Sequence, residues 1–363
     1  MATFTYTFTC PWTDWPRNTY TVSVGNPSMP VVVLLHGAGA NSSDFTNLRP
    51  VEFPYDFNSP LPGQRDLGWN GYPAVGLYSV ELDPRRPNVQ GWVPFLLKNG
   101  FSTVDYSQVD NQGLVARPVE ELGLLIDNLL STGLTSSGLP ATAPLLFLAH
   151  SRGCLIARKF LKDHAADPVL RGRIHRVVLL AGPNQGSEWG NVVLAAENTA
   201  LGLAEAAIGA LGAPLLADAL GTLFGAWMQG QDFEEMQVGS TFLADLANGE
   251  APFPGATYFT FGGTNITYTR VRWWWFTPGS ALPQWHWPPF DWQVDCSQVP
   301  GFSPVLDAFP HPIPEVTPGL GDMMVADARA HLPFSTPQTM QLNHAQWLYD
   351  ASVQADVLKI LTN

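Results

Sequence analysis

Leu145-Leu-Phe-Leu-Ala-His-Ser-Arg-Gly-Cys154 is the stretch on which the fold turns. Four consecutive apolar residues fit a strand buried on both faces, because a strand with one wet face would alternate. The run passes through Ala149 into His150, Ser151, Arg152 and Gly153, and a helical pattern follows from Cys154 to Asp163. Strand, tight turn and helix in that order are the setting of a nucleophile elbow, which holds its central residue in strained geometry with the side chain above the end of a sheet. Small residues two before and two after Ser151 let strand and helix come close. The start of the helix dipole beneath Ser151 favours negative charge developing there. The plain alternative is a serine capping an ordinary helix start, so the reading depends on what partners the rest of the chain supplies.

Working outward, apolar strand runs alternate with helical patterns. Strands are expected at Thr19 to Val24, Pro30 to Leu35, Phe101 to Tyr106, Leu145 to Leu148, Val177 to Leu180 and Tyr258 to Phe261. Helices are expected at Trp92 to Lys98, Pro118 to Leu130, Cys154 to Asp163 and Ala345 to Leu361. This alternation predicts an α/β protein with a mostly parallel central sheet and helices on both faces. Three stretches break the rhythm. Residues 49–90 are rich in Pro, Gly and aromatics and read as a long ordered insertion. Residues 187–248 are Ala/Leu/Gly-rich, with Leu194, Leu201, Ile208 and Leu215 seven apart. They read as a helical excursion packed on the core or, more sharply, as a helical lid over a cleft. Residues 265–320 hold Trp273, Trp274, Trp275, Trp285, Trp287 and Trp292, and their many prolines argue against regular structure. With no repeat and no linker in sight, residues 1–363 are expected to form a single domain.

Composition narrows the function classes. Of 363 residues, 45% are hydrophobic and only 13% charged, the reverse of a disordered chain. The net charge of −13, with no Lys/Arg cluster, argues against nucleic-acid binding. Cys10, Cys154 and Cys296 are too few and too odd in number for a disulfide framework. The opening MATFTYTFTCPWTDW has neither a positive start nor an apolar run, so no secretory signal is read and a cytoplasmic location is expected. Residues 199–228 are interrupted by Glu205, Pro214, Asp218 and glycines, which argues against a membrane span. The oligomeric state is left open.

Partners for Ser151 do exist. Val31-Val-Val-Leu-Leu-His-Gly-Ala-Gly-Ala40 is a buried strand followed by small residues that can present bare backbone N–H groups to a cleft. A tetrahedral intermediate needs two such donors for its oxyanion, and the amides of Ala38 and Arg152 are the candidates. A serine is also a poor nucleophile until a histidine takes its proton and a carboxylate orients that imidazole. The chain order of this arrangement, Ser, then acid, then His, leaves His286, His311, His331 and His344 after suitable carboxylates; His344, in Leu342-Asn-His-Ala-Gln-Trp347 just before the last helix, is the best placed. For the acid, Gly321-Asp-Met-Met-Val325 offers Asp322, with Asp327 and Asp307 as rivals. No metal or cofactor is called for: HExxH and CxxC are absent, and Gly37-Ala-Gly39 has Ser42 where a dinucleotide loop needs its third glycine.

These residues resemble the α/β-hydrolases of the bacterial lipase/esterase group. The His36-Gly37 turn and the Ala149-His-Ser-Arg-Gly153 elbow look like theirs, with Ala149 in place of the usual first glycine. Leu180-Ala-Gly-Pro-Asn-Gln-Gly-Ser187 is similar to their Pro-His-x-Gly-Ser/Thr loop, with Asn184 replacing the His. Gln237-Val-Gly-Ser-Thr-Phe-Leu243 resembles the segment leading out of their lid. The Asp322 and His344 loops match their acid and histidine loops in order. The resemblance implies an α/β-hydrolase fold in which Ser151 is the nucleophile, Asp322 the orienter and His344 the base. It also implies that Ala38 and Arg152 line the oxyanion hole and that 187–248 is the lid. Arg152, where such lipases often carry Met or Gln, would add a cation beside that hole. The Leu/Ala-rich lid and the tryptophans point to an ester substrate with a hydrophobic acyl chain and to transient contact with a lipid interface. A polyester depolymerase, a thioesterase, or a ligand-binding protein on an inactive frame are the alternatives.

Overall fold

The computed structural model describes residues 2–38, 42, 45, 90–110, 113–188, 232–267 and 311–363, together with short backbone strands at 75–78, 270–275 and 284–286. Residues 189–231 of the expected lid, nearly all of the first insertion and most of the second lie outside the described residues; in the described end of the expected lid, Asp232–Met236 and Thr241–Ala247 are helical.

Eight strands make one sheet: β1 Ala2–Thr9, β2 Arg17–Val24, β3 Val31–Leu35, β5 Ser102–Tyr106, β6 Leu145–His150, β7 Ile174–Leu180, β8 Thr257–Gly263 and β11 Thr336–Met340, with β4 Val75–Tyr78, β9 Arg270–Trp275 and β10 Gln284–His286 apart from it. The spatial order is β1-β2-β5-β3-β6-β7-β8-β11. The β1/β2 and β2/β5 pairs are antiparallel, and every pair from β5 through β11 is parallel.

Burial explains the strand sequences. Val31, Val33 and Leu35 face one core with Phe147, Val177 and Leu179, and are covered by the helices Ala116–Asn128 and Gly153–Asp163 through Leu122, Leu125, Ile156 and Phe160. Val32 and Leu34 face a second core with Leu148, Val178 and Phe261, under the helices Trp92–Lys98 and Ala351–Thr362 through Trp92, Leu96, Val353 and Val357. Apolar residues at every position are therefore required, each buried Leu, Ile or Phe stabilising by roughly 1.5–3 kcal/mol. From β3 the chain passes to β5 on one side and then to β6 on the other, so the crevice at the carboxyl ends of β3 and β6 is the topological switch point where such sheets bind ligands.

Four differences from the sequence reading have physical causes. The sequence reading missed β1, although Thr3 to Thr9 alternates Thr with Phe and Tyr; it pairs along its whole length with β2. It also missed β11, because Thr336-Pro-Gln-Thr-Met340 has no apolar run; as an edge strand it tolerates Pro337. The last helix is split, with a short 3-10 turn at Gln346–Leu348 and a new helix at Ala351–Thr362 capped by Asp350, which accepts from Ser352 N. The second insertion does hold regular structure despite its prolines: β9 pairs with β10 and with β4 from the first insertion in a three-stranded antiparallel sheet. No helix among the described residues is long and apolar enough to cross a membrane.

Candidate active site

The elbow forms as its residues dictate. Ser151 has φ of 54°, one of three non-glycine residues with positive φ among those described. For an L-residue this conformation costs about 1–2 kcal/mol. It is held by the Ser151 N–H bond to Leu180 O at 2.9 Å on the neighbouring strand. The helix that follows begins at Gly153 with Arg152 in the cap position and no side-chain cap bond, so Ser151 is not an ordinary capping serine. Gly153 has no room for a side chain: a Cβ there would lie 2.4 Å from Leu35 O and 2.7 Å from His36 O. Gly37 abuts the elbow from the other side, where a Cβ would stand 2.9 Å from Ser151 Cβ and 3.3 Å from its Oγ. The two turns carrying the expected oxyanion donors, Ala38 and Arg152, thus meet at Ser151. Cys154, directly behind the elbow, is fully buried; burial pushes its thiol far up, and it hydrogen-bonds Ala149 O at 3.4 Å.

Asp322 and His344 come together on the same edge of the sheet. His344 Nδ1 lies 2.8 Å from Asp322 Oδ2, and the His344 N–H donates to Asp322 O at 2.9 Å. Asp322 is completely buried, yet its carboxylate meets four donors. Oδ1 accepts from the Met324 and Val325 amides at 3.0 and 2.8 Å, and Oδ2 accepts from Trp347 Nε1 at 3.2 Å as well as from His344. The turn that presents these amides is tight enough to force Met323 to φ of 88°. Gly263, at the end of β8, lets both loops close: a Cβ there would sit 2.5 Å from Leu342 O and 2.6 Å from Asp322 Cβ. The acid loop is further braced by Ser187 Oγ donating to Met324 O at 2.7 Å and by Met323 N donating to Glu315 O at 2.9 Å.

His150 joins the halves. Its ring lies 4.8 Å from that of His344, centre to centre, and its Nε2 donates to His344 O at 3.1 Å. Burial, with the adjacent His344 imidazole, holds His150 well below the usual histidine range, so it serves as a neutral strut. No hydrogen bond joins Ser151 Oγ to His344 among the described residues.

The rivals fall elsewhere. Asp327 accepts from Thr339 Oγ1 at 2.9 Å and pairs with His331 Nε2 at 3.3 Å, while His331 Nδ1 meets Thr260 Oγ1 at 3.0 Å. His311 pairs with Glu188 Oε2 at 3.0 Å, and burial of Glu188 is outweighed by Arg329 and His311, which keep that carboxyl below its usual range. Only the backbone of His286 is described, on β10, and Asp307 lies outside the described residues. Asn184, standing where the resembled family has His, donates through Nδ2 to Ala330 O at 2.6 Å, and its carbonyl takes a bond from Arg158 Nη1 at 2.7 Å. The Arg152 guanidinium is committed to Gln108 Oε1 at 3.1 Å and to the carbonyls of Asp110 and Gly113. Sequence reasoning gave no role to Gln108, His150, Trp347 or Gly263. For His150 and Trp347 the signal was proximity to the motif; for Gln108 there was none.

The sequence matches no protein-family model and no curated protein. In three dimensions the chain is similar to the lipase BlEst2 of Bacillus licheniformis. The similarity to its mature form is at 16% identity over 99% of this chain and 98% of that one, with a TM-score of 0.49. To its propeptide form it is at 16% identity and a TM-score of 0.50, this chain spanning about half of that longer one (54%). It is also similar to the naproxen esterase (carboxylesterase NP) of Bacillus subtilis, at 11% identity over 99% of this chain and 91% of that one, with a TM-score of 0.43. The likeness at a TM-score of 0.50 is one of fold, and with the eight-stranded, mostly parallel sheet described above it shows that the chain has the α/β-hydrolase fold.

Proposed function

We propose that the protein is a serine hydrolase that cleaves carboxylic esters with hydrophobic acyl chains. The observation that carries the reading is the pairing of a strained Ser151 at the end of β6 with a buried His344–Asp322 couple tied to the same turn through His150. Neither half is needed for stability alone: the strain at Ser151 is unfavourable, and a buried ionisable pair is weak support for a fold.

In the reaction, His344 Nε2 accepts the Ser151 proton as Oγ attacks the ester carbonyl carbon. The resulting oxyanion is held by the Ala38 and Arg152 amides. The imidazolium, steadied by Asp322 at Nδ1, gives its proton to the leaving alkoxide, which departs as the alcohol. Water then attacks the acyl-enzyme by the same relay, releasing the acid and restoring Ser151. The sequence of 187–248 and the tryptophans of 265–320 support a hydrophobic acyl group, and transient contact with a lipid interface follows if 187–248 uncovers its apolar residues.

Hydrolysis of p-nitrophenyl esters from acetate to palmitate tests the assignment. Turnover should rise with acyl length before solubility limits it, and Ser151→Ala should abolish it. A serine-directed phosphonate should label Ser151 alone. Full activity in Ser151→Ala would refute the mechanism, and a preference confined to acetate would refute the hydrophobic acyl preference.

A further inference from the structure

The amide of Ala38 can act as an oxyanion donor only if the peptide joining Gly37 to Ala38 is held in one orientation, and the loop is too small-residued to hold itself. Two buried residues do so. His36 is 1% exposed and Gln108 5%. The backbone N–H of Gln108 donates to His36 Nε2 at 3.0 Å, which fixes the tautomer: Nε2 is an acceptor, so the ring proton sits on Nδ1. Nδ1–H then donates to Gly37 O at 2.9 Å. That carbonyl belongs to the peptide unit whose N–H is Ala38's, and trans planarity sends the two in opposite directions. Holding the carbonyl against the imidazole therefore turns the Ala38 N–H the other way, and Gly37 is the residue in contact with Ser151.

The Gln108 side chain secures the same loop again and joins it to the elbow. Its Nε2 donates to His36 O at 3.0 Å and its Oε1 accepts from Arg152 Nη1 at 3.1 Å. Amide orientation is unambiguous here, since a guanidinium can only donate and a carbonyl can only accept. Gln108 thus spans the two segments that supply the two oxyanion amides, one through His36 and one through the side chain of Arg152.

We propose that His36 and Gln108 are positioning residues for this hydrolase, a couple that presets the Gly37–Ala38 peptide and locks it to the Ser151 turn, so that the oxyanion hole is formed before substrate arrives. The inference rests on the ester-hydrolase reading above. Preorganised donors cost no reorganisation during reaction, and losing one entirely lowers kcat by about 10²–10³. Loosening one should cost less, about tenfold to a hundredfold.

The experiment compares wild type with Gln108→Leu, Gln108→Glu, His36→Phe and His36→Asn, each first checked by thermal melting. The readouts are kcat and KM on p-nitrophenyl butyrate and the Ki of a trifluoromethyl ketone, whose hemiketal adduct with Ser151 Oγ carries the oxyanion. Positioning predicts a lower kcat and weaker ketone binding at nearly constant KM. It also predicts that His36→Asn, which keeps a donor near the Nδ1 position, retains more kcat than His36→Phe. Gln108→Glu keeps the bond to Arg152 and loses the one to His36 O, so it reports the clamp even if Gln108→Leu does not fold. Variants that melt lower but keep kcat and Ki would overturn the proposal and leave the hydrolase reading standing. Wild-type turnover equal to that of Ser151→Ala would overturn both.

Discussion

The protein contains two histidine–aspartate couples at the carboxyl edge of one sheet, and they differ in a way that separates a site from a strut. His331 sits on Asp327 at 3.3 Å and uses its other nitrogen on Thr260, so both ring nitrogens are engaged and neither can take a proton from a substrate. His344 sits on Asp322 at 2.8 Å through Nδ1, and no described residue engages its Nε2. Asp327 is partly exposed and shares its carboxylate with Thr339; Asp322 is fully buried and surrounded by four donors. A couple that is saturated at both ends fixes structure. One saturated only at the carboxylate end leaves an imidazole nitrogen open, as the proposed base requires.

The comparison breaks most decisively at the histidines. His344→Gln should lower ester turnover by on the order of 10⁶, the loss seen when a triad member that acts as base is removed. His331→Gln should leave turnover within a few-fold and show instead in the melting temperature, through about 1 kcal/mol from its lost hydrogen bonds. Steady-state rates on one short ester suffice, and comparable losses at the two positions would erase the distinction drawn here. Asp322→Asn comes next. An amide facing Nδ1 favours the wrong tautomer and should lower kcat about 10⁴-fold, while Asp327→Asn leaves kcat nearly unchanged.

A third carboxylate sharpens what saturation means. Asp105 on β5 is also buried, but its Oδ2 has no partner among the described residues, and burial pushes its pKa from 3.8 up to about 7. The sign follows: below the unfolded value both states are protonated and nothing is lost, whereas stability falls as pH rises towards about 7, because only the unfolded state ionises freely. Asp105→Asn should therefore be stabilising by at most about 4 kcal/mol above pH 7 and neutral near pH 4. Thermal melts across that range check it; a gain independent of pH would show that ionisation is not the cause.

The same contrast explains what could be read from sequence. The elbow, the His36-Gly37 turn and the parallel core strands were legible because each depends on local constraints: continuous burial demands apolar runs, and tight turns demand small residues. Asp322 and His344 were legible as loops but not as a couple, since Asp327 lies only five positions away and spacing cannot tell which carboxylate turns inward. That choice is made by Gly263 and Trp347, contacts across the fold, together with the local Met324 and Val325 amides. Gln108 stayed invisible for the same reason: nothing in its neighbourhood marks a glutamine that bonds a histidine 72 positions earlier and an arginine 44 positions later. Edge strands such as β11 escape because a strand open to solvent has no need of an apolar pattern.

The smallest expected effect tests the contrast from within the His344–Asp322 couple. Trp347 is fully buried, packs edge-on against Phe261 and donates Nε1–H to Asp322 Oδ2, the oxygen that also holds His344. Trp347→Phe removes that donor while keeping most of the aromatic volume. If the indole is only core, the change should lower the melting temperature and leave kcat alone. If it helps saturate the carboxylate, kcat should fall by roughly tenfold at most, equivalent to about 1 kcal/mol for one hydrogen bond, with KM unmoved. In an Asp322→Asn background the same substitution should then have no further effect on kcat, because there is no longer a carboxylate to steady. Additive losses in that double variant would show that Trp347 acts on kcat by a route other than the Asp322 carboxylate and would reduce the donor set that matters to three.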